Sequence, residues 1–495
     1  MIEFRSIPAV YRPTGVKRYD GNPYIEALPQ MEETKNDILD RIEYFPPIFT
    51  AKDRAKGELV RIAELARIGS IIYPFAEYRK PASNTTLNIR EAYVSRNPCK
   101  VETQRRDTMI ATMKDLNDEE AFRSIAFKSS ALGQLIMAVS GSGKTTLGGG
   151  VLAPYCCVIE HTEYKGQPFR RRQIPVIPMS VLNNGSLMGF CIQFFETIDM
   201  VLGNTHYARE AKALRTIPLM TLLIRKVVKA VGLGLIFIDD VQNLRAVRGK
   251  QAEMVLDLFS YLLEIAGVSL LLSATPALEP VMARSVRNIR KLTTGGMSRF
   301  PVMTRHDPQW IALATAVWRY QNVKHPGPLT EDILDAWHAC SGGNPAFTLL
   351  SFALAQRQEI GERETLDVSS FERVFETDMI LLKPAIKALL SGKATDLQKF
   401  DDLVPKSGLM ELLDQLGWAR ETTESAAGEP EFEELEEKDN EQQERPDAPA
   451  RGEHKAGIPT RGKRKATPES ATKGPATSKT PQRKARGLPS VKPSF

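Results

Sequence analysis

The chain is poor in the residues that build covalent or metal-bound frameworks. Its 495 residues include only five cysteines (Cys99, Cys156, Cys157, Cys191, Cys340) and six histidines. With no CxxC pair and no regular spacing between the two types, neither a disulfide scaffold nor a zinc site is expected. No stretch approaches the ~18 consecutive apolar residues a membrane span needs, and the opening MIEFRSIPAVYR lacks the apolar core of a signal peptide. A reducing cytoplasm is therefore the expected compartment, and no membrane partner is expected. A large charge of one sign is missing as well: 66 Lys and Arg against 60 Asp and Glu leave a formal net charge of +6. Any nucleic-acid footprint must then be local rather than global. What remains is ordinary for a globular protein, 42% hydrophobic and 25% charged, and the length suggests roughly three domains.

The most informative stretch runs from Leu135 to Thr146, LIMAVSGSGKTT. An apolar run that stops at Ser140-Gly141-Ser142-Gly143-Lys144-Thr145-Thr146 reads as a buried strand feeding a phosphate-binding loop. Around it, short apolar strand candidates (135–139, 158–160, 174–181, 235–238, 268–272) alternate with helical patterns at 186–202, 211–231 and 250–266. Such alternation implies an α/β core, a parallel sheet with helices on both faces. Before it, residues 1 to about 30 form a proline-rich arm without periodicity, which either straps onto its own domain or docks on a partner. Residues 52–75 have helical spacing, 86–94 look more strand-like, and a helix capped by Asp118 is expected to reach Phe127. After Gly295 the pattern becomes all-helical, with Asp307-Pro308 and Asn344-Pro345 as N-cap and first-turn proline of two helices. From Gly428 an acidic block and then a Lys/Arg/Pro-rich block hold almost no large apolar residue, so this tail is expected to be disordered, as a solubilising segment or a basic tether. The expected organisation is an N-terminal arm and small mixed domain (1–117), an ATPase core (118–303), a helical lid (304–395), a C-terminal helix (396–427) and the tail (428–495).

The chemistry follows from this layout. Backbone N–H groups around Gly141 to Thr145 can converge on a nucleotide's phosphates at the start of a helix; Lys144 would neutralise them, and the hydroxyl of Thr145 would ligate magnesium. The usual loop begins with Gly, and here that position is Ala138; Gly148 to Gly150 weaken the following helix, each by ~1 kcal/mol relative to Ala. Further on, Leu235-Ile236-Phe237-Ile238-Asp239-Asp240 reads as a buried strand ending in two carboxylates. Asp239 would hold the magnesium ion and Asp240 would orient the attacking water. A third strand ends at Thr275, placed to sense a γ-phosphate, to cap the helix starting at Pro276, or both. Arg284, Arg287 and Arg290 form a basic face that is either solvated or presented to a neighbouring subunit's γ-phosphate. Two basic loops, one holding Arg170, Arg171 and Arg172 and the other holding Thr205, Arg209, Lys212 and Arg215, either are solvated turns or contact DNA phosphates without reading sequence.

With these parts in this order, residues from about 120 to 390 resemble an AAA+ ATPase. The arm AVYRPTGVKRYDGNPYIEALP, the later YVSRNP, the SGSGKTT loop, NNGSL and GLIFIDDVQNL further resemble the TnsC family, AAA+ target-selection regulators of bacterial Tn-seven-like transposons, similar in role to MuB and IstB. The resemblance extends to about residue 395 and leaves the tail unmatched. It implies an ATPase, with ATP and Mg2+ as cofactors, that assembles as a ring or filament of its own copies on double-stranded DNA. It also implies partners: transposase subunits and a target-selector protein of the TnsD or TniQ type. The chain departs from the family at Ala138, at Asp240 where Glu is common, and at Ser273-Ala274, where Ile-Gly tends to precede Thr-Pro; these bear on turnover more than on nucleotide binding. Two other readings compete: a replicative helicase loader or initiator, and a scaffold that holds ATP without hydrolysing it.

Overall fold

Four of the apolar segments pair side by side in one parallel sheet, which residues 296–299 extend by a fifth strand. In the computed structural model, residues 4–113, 128–183, 185–246, 250–397 and 399–400 are described; the helix expected at 118–127, all but the first few residues of the expected C-terminal helix, and the tail lie outside them. In chain order the strands are β1 (Arg5–Pro8), β2 (Gly133–Met137), β3 (Cys157–Tyr164), β4 (Gln167–Gln173), β5 (Val176–Ser180), β6 (Leu235–Asp239), β7 (Ser269–Ala274) and β8 (Gly296–Arg299). The main sheet has the order β5-β6-β7-β2-β8, all parallel. Helices cover both faces, so β2 and β7 are buried throughout, which is why these strands read as continuous apolar runs. The loop strand β2 does not touch the acidic strand β6; β7 lies between them, so three strand ends face one cleft.

Several expectations are corrected here. Residues 86–94, with Thr86 and alternating apolar positions, belong to a helix, Arg79–Val94, which packs on the main sheet. Its polar side chains are absorbed locally: Thr85 Oγ1 donates to Pro81 O at 2.8 Å, and Asn88 Nδ2 donates to Gln134 Oε1 at 2.9 Å. Burial of Ala82, Ile89, Ala92 and Tyr93 overrides the modest helix propensity of the segment. The region after Gly295 is not purely helical, because Gly296–Arg299 pairs with the free edge of β2. Four residues with a single large apolar side chain carry no readable strand pattern; the partner edge supplies it. The expected helix at 211–231 splits into His206–Ala213 and Ile217–Ala230, the second opened by Pro218 in its first turn.

The candidate strand at 158–160 is real but leaves the main sheet. It is part of β3, which forms a hairpin with β4 through Lys165 and Gly166, both at positive φ (51° and 75°), as a tight turn of this hand requires. The arm's β1 adds in parallel on the other side of β3. The arm is thus a strap on its own chain: Tyr11 shares a 2.8 Å hydrogen bond with His161 Nδ1, and Asn22 Nδ2 donates to Tyr93 O at 2.8 Å.

The lid is built from helices Pro308–Trp318, Glu331–Ser341, Pro345–Glu359, Val368–Glu376 and Lys383–Ser391. The expected caps Asp307 and Asn344 hold, and Thr330 and Asp367 cap two more. Trp310, Trp337, Phe352 and Phe371 fill its centre, fully buried. One apolar cluster runs from Ile38 and Tyr78 through Leu147 of the loop helix to Trp337 of the lid, and a second fills the other face of the main sheet.

Candidate functional site: a phosphate-loop cleft

The loop after β2 turns by two left-handed glycines, Gly141 (φ 82°) and Gly143 (φ 87°). Neither tolerates a side chain: a Cβ on Gly143 would lie 2.0 Å from Tyr78 Oη, and one on Gly141 would lie 2.5 Å from Asn344 Oδ1. Lys144 opens the helix Lys144–Leu152. Its ammonium folds back to donate to Ala138 O at 2.8 Å and Val139 O at 3.0 Å. Ala138 therefore takes part through its carbonyl, which any residue supplies. Thr145 Oγ1 donates to Asp239 Oδ2 at 2.6 Å, so the hydroxyl and carboxylate expected to share a magnesium ion are already side by side.

Asp240 sits just past β6 with φ at 55°, strained for a non-glycine residue. Its N–H donates to Asp239 Oδ1 at 2.9 Å, and its own Oδ1 accepts from Gln242 Nε2 at 2.9 Å. The other end of that amide, Gln242 Oε1, accepts from the backbone N–H of Thr275 at 3.2 Å. Gln242 thereby ties the acidic strand to the tip of β7. It escaped the sequence reading because glutamine carries no charge signature, although it lies within the GLIFIDDVQNL stretch. Thr275 makes no side-chain capping bond, so of its two expected roles the cap is not observed. Its Oγ1, like the hydroxyls of Ser142 and Ser273, is buried without a hydrogen-bond partner, a costly state for a hydroxyl.

Gly141, Gly143, Lys144, Thr145, Asp239, Asp240, Gln242 and Thr275 line a cavity of about 780 Å³ together with Ser140 and Thr146. Its far wall is apolar and comes from outside the α/β core: Ile62, Leu65 and Tyr73 from the N-terminal region, Leu349 and Ala353 from the lid. The lid touches the loop directly, with Ala346 N donating to Gly141 O at 3.1 Å and Asn344 Nδ2 to Ser140 O at 2.7 Å. Tyr78 Oη, its phenol pushed up by burial, donates to Ser142 O at 3.0 Å. The loop is clamped from both sides. Only tertiary packing could reveal this.

A family model described as an AAA domain matches residues 129–282. The match spans the loop, both aspartates and Thr275. The matched stretch has the fold of an AAA P-loop domain. No curated protein matches the sequence. Similar solved structures include the Walker-type ATPase PABY2304 of Pyrococcus abyssi, at 12% identity and TM-score 0.37, covering 64% of this chain and 90% of that one. The Thermotoga maritima RuvB Holliday junction branch migration motor is similar at 12% identity and TM-score 0.30, covering 62% and 86%. The Aeropyrum pernix ORC1 protein, solved in complex with DNA, is similar at 18% identity and TM-score 0.31, covering 63% and 82%.

The remaining predicted residues lie away from the AAA cleft. Arg287 and Arg290 are exposed on the helix Val286–Leu292, but Arg284 precedes the N-cap Ser285 and so does not share their helical face. The two basic segments are not loops. Arg170, Arg171 and Arg172 are exposed on β4, with Arg172 Nε 3.2 Å from Glu160 Oε1. Arg209 and Lys212 are on the helix His206–Ala213, flanked by Thr205 and Arg215, and Lys212 pairs with Glu196 at 2.7 Å. Burial pushes the Tyr207 phenol up, and the nearby Asp199 and Glu210 carboxylates act in the same direction. Among the described residues there is no group of three or more His, Cys, Asp or Glu that could hold a metal, and no helix is long and apolar enough to cross a membrane.

Proposed function

We propose that this protein is an ATP-dependent, DNA-binding regulator of transposition of the TnsC kind, which assembles on duplex DNA and links a target selector of the TnsD or TniQ type to the transposase. The observation that carries the nucleotide part is the meeting of the loop, Asp239, Asp240 and an unpartnered Thr275 hydroxyl in one cleft. That arrangement fits a magnesium nucleotide. The N–H groups of residues 140–145 and Lys144 would hold the phosphates, Thr145 and Asp239 the ion, and the apolar wall the base. The ion, when bound, would neutralise charge building on the terminal phosphate. Asp240 would accept the proton of the attacking water, and Thr275 would donate to the terminal phosphate. Arg284, Arg287 and Arg290, absent from the cleft of their own chain, would serve a neighbour's.

The transposition-specific part is supported by the arm, whose sequence resembles that family and which is folded onto β3 as a built element. For DNA, exposed Arg170 to Arg172 and the helix after Thr205 each offer cations suited to backbone phosphates. A second reading, slow hydrolysis within an ATP-gated scaffold, is favoured by one contact: the Gln242 amide donates to Asp240 Oδ1 and so occupies a carboxylate oxygen that would otherwise be open to the attacking water. Negative-stain imaging of the full chain with duplex DNA and a non-hydrolysable ATP analogue tests the main reading, and rings or filaments on DNA are expected. Their absence overturns it, while phosphate release measured beside it separates a turning-over enzyme from the scaffold.

A further inference from the structure

A second cavity of about 900 Å³ opens between β4, the helix Val101–Thr112 and the helix Ile217–Ala230. Among the described residues that line it are four cations, Arg170 and Arg171 from the strand and Lys226 and Lys229 from the helix, against one carboxylate, Asp107. Phe169 contributes an aromatic ring to the wall. Lys229 is deep, its side chain 11% exposed and its Nζ 2.8 Å from Asp107 Oδ1. Lys226 Nζ donates to Met113 O at 2.6 Å.

Of the four, Lys229 is held in a poorly solvated place, while Arg170 and Arg171 are exposed on the strand. Burial pushes Lys229 down to about 7, against the opposing pull of Asp107, with Arg106 and Arg96 nearby adding to the depression. Burial lowers Arg96 and Arg106 as well. Asp107 balances Lys229, and the described residues lining the cavity hold no second carboxylate for the other three cations, so an anionic ligand would complete the set. The size of the cavity and its ring favour an anion carried on an organic body over a bare ion.

We propose that this cavity is a second ligand site, for a compact organic phosphate of nucleotide size, with Lys226, Lys229, Arg170 and Arg171 holding the phosphate and Phe169 packing against its organic part. The site is separate from the phosphate-loop cleft, with no lining residue in common, and does not depend on the DNA reading. It makes nucleotide or phosphometabolite level a second input to the protein.

The test uses the full chain carrying Lys144→Ala, so that the loop lacks its lysine, titrated by calorimetry with ADP and with pyrophosphate. Saturable binding is expected, tighter for ADP than for pyrophosphate, and weakened at least tenfold by Lys226→Met with Lys229→Met. Arg171→Ala, an exposed change that spares the buried ion pair, is expected to weaken it in the same direction. Binding is also expected to take up protons near pH 7.5, because an anion beside Lys229 raises its affinity for a proton. No saturable binding, or binding indifferent to these substitutions, overturns the proposal. So does loss of duplex-DNA binding in the Met variant without any change towards ADP, which would assign the cations to the DNA face. Failure of the unaltered chain to bind duplex DNA sinks the DNA reading alone and leaves the ADP result to stand.

Discussion

On the proposed function, Thr275 is a residue that would serve the nucleotide at the expense of folding. Its hydroxyl is buried and unpartnered, a condition that costs about 1–3 kcal/mol. Thr275→Val removes the hydroxyl while keeping the shape. Stability in urea is expected to be unchanged or higher, while the preference for ATP over ADP falls by about tenfold, the value of roughly one hydrogen bond to a charged group. Equal discrimination in the variant and the parent would remove Thr275 from the site. Asp240 illustrates the same principle in the backbone, since its positive φ is tolerated where the strand end must turn its carboxylate towards Gln242.

At the scale of elements, the cleft depends on how firmly the lid and the N-terminal region are joined. Arg61, fully buried, pairs in bidentate fashion with Glu364 at 2.6 and 2.7 Å. Asn322 Nδ2 donates to Arg61 O at 3.1 Å beside it. Breaking such a buried pair from one side costs about 3–5 kcal/mol, so Glu364→Ala is expected to lower the urea midpoint sharply. The pair also fixes a pH dependence. Hydrogen bonds from Arg61 hold the Glu364 carboxyl down at about 2, below its range in an unfolded chain. Its stabilisation is therefore complete above the ordinary carboxylate range, near ~4.3, and is lost as the pH falls towards 2. Urea melts from pH 6 to 2.5 are expected to show this loss in the parent chain and a shallower one in Glu364→Gln.

For the whole molecule, the expected behaviour is assembly on DNA through cations that read no sequence. Replacing Arg170, Arg171 and Arg172 by Ala is expected to reduce the slope of log affinity against log salt by up to about 2.7, at ~0.9 per lost phosphate contact, equally for unrelated duplexes. Fluorescence anisotropy over a salt series reads it. An unchanged slope would exclude β4 from the interface.

The local chemistry of this protein was legible in its sequence. The loop, both aspartates, Thr275 and the caps of the lid helices Asp307 and Asn344 are where pattern and spacing placed them, because each depends on a short run: a buried strand, a glycine-permitted turn, an oxygen before a helix. What failed was whatever depends on a distant partner. The segment 86–94 became a helix because the main sheet buried its apolar side. Residues 296–299 became a strand because β2 had a free edge, and the basic segments became a strand and a helix rather than loops. Gln242, Tyr78 and the lid contacts at Ser140 and Gly141 join residues remote in sequence, and no local signal marks them. Sequence by itself determined that a phosphate-binding loop and a pair of carboxylates stand at strand ends. Tertiary structure alone decided that one strand separates them, that the cleft is closed by the N-terminal region and the lid, and that four cations share a second cavity. Each of these follows from the packing of elements far apart along the chain.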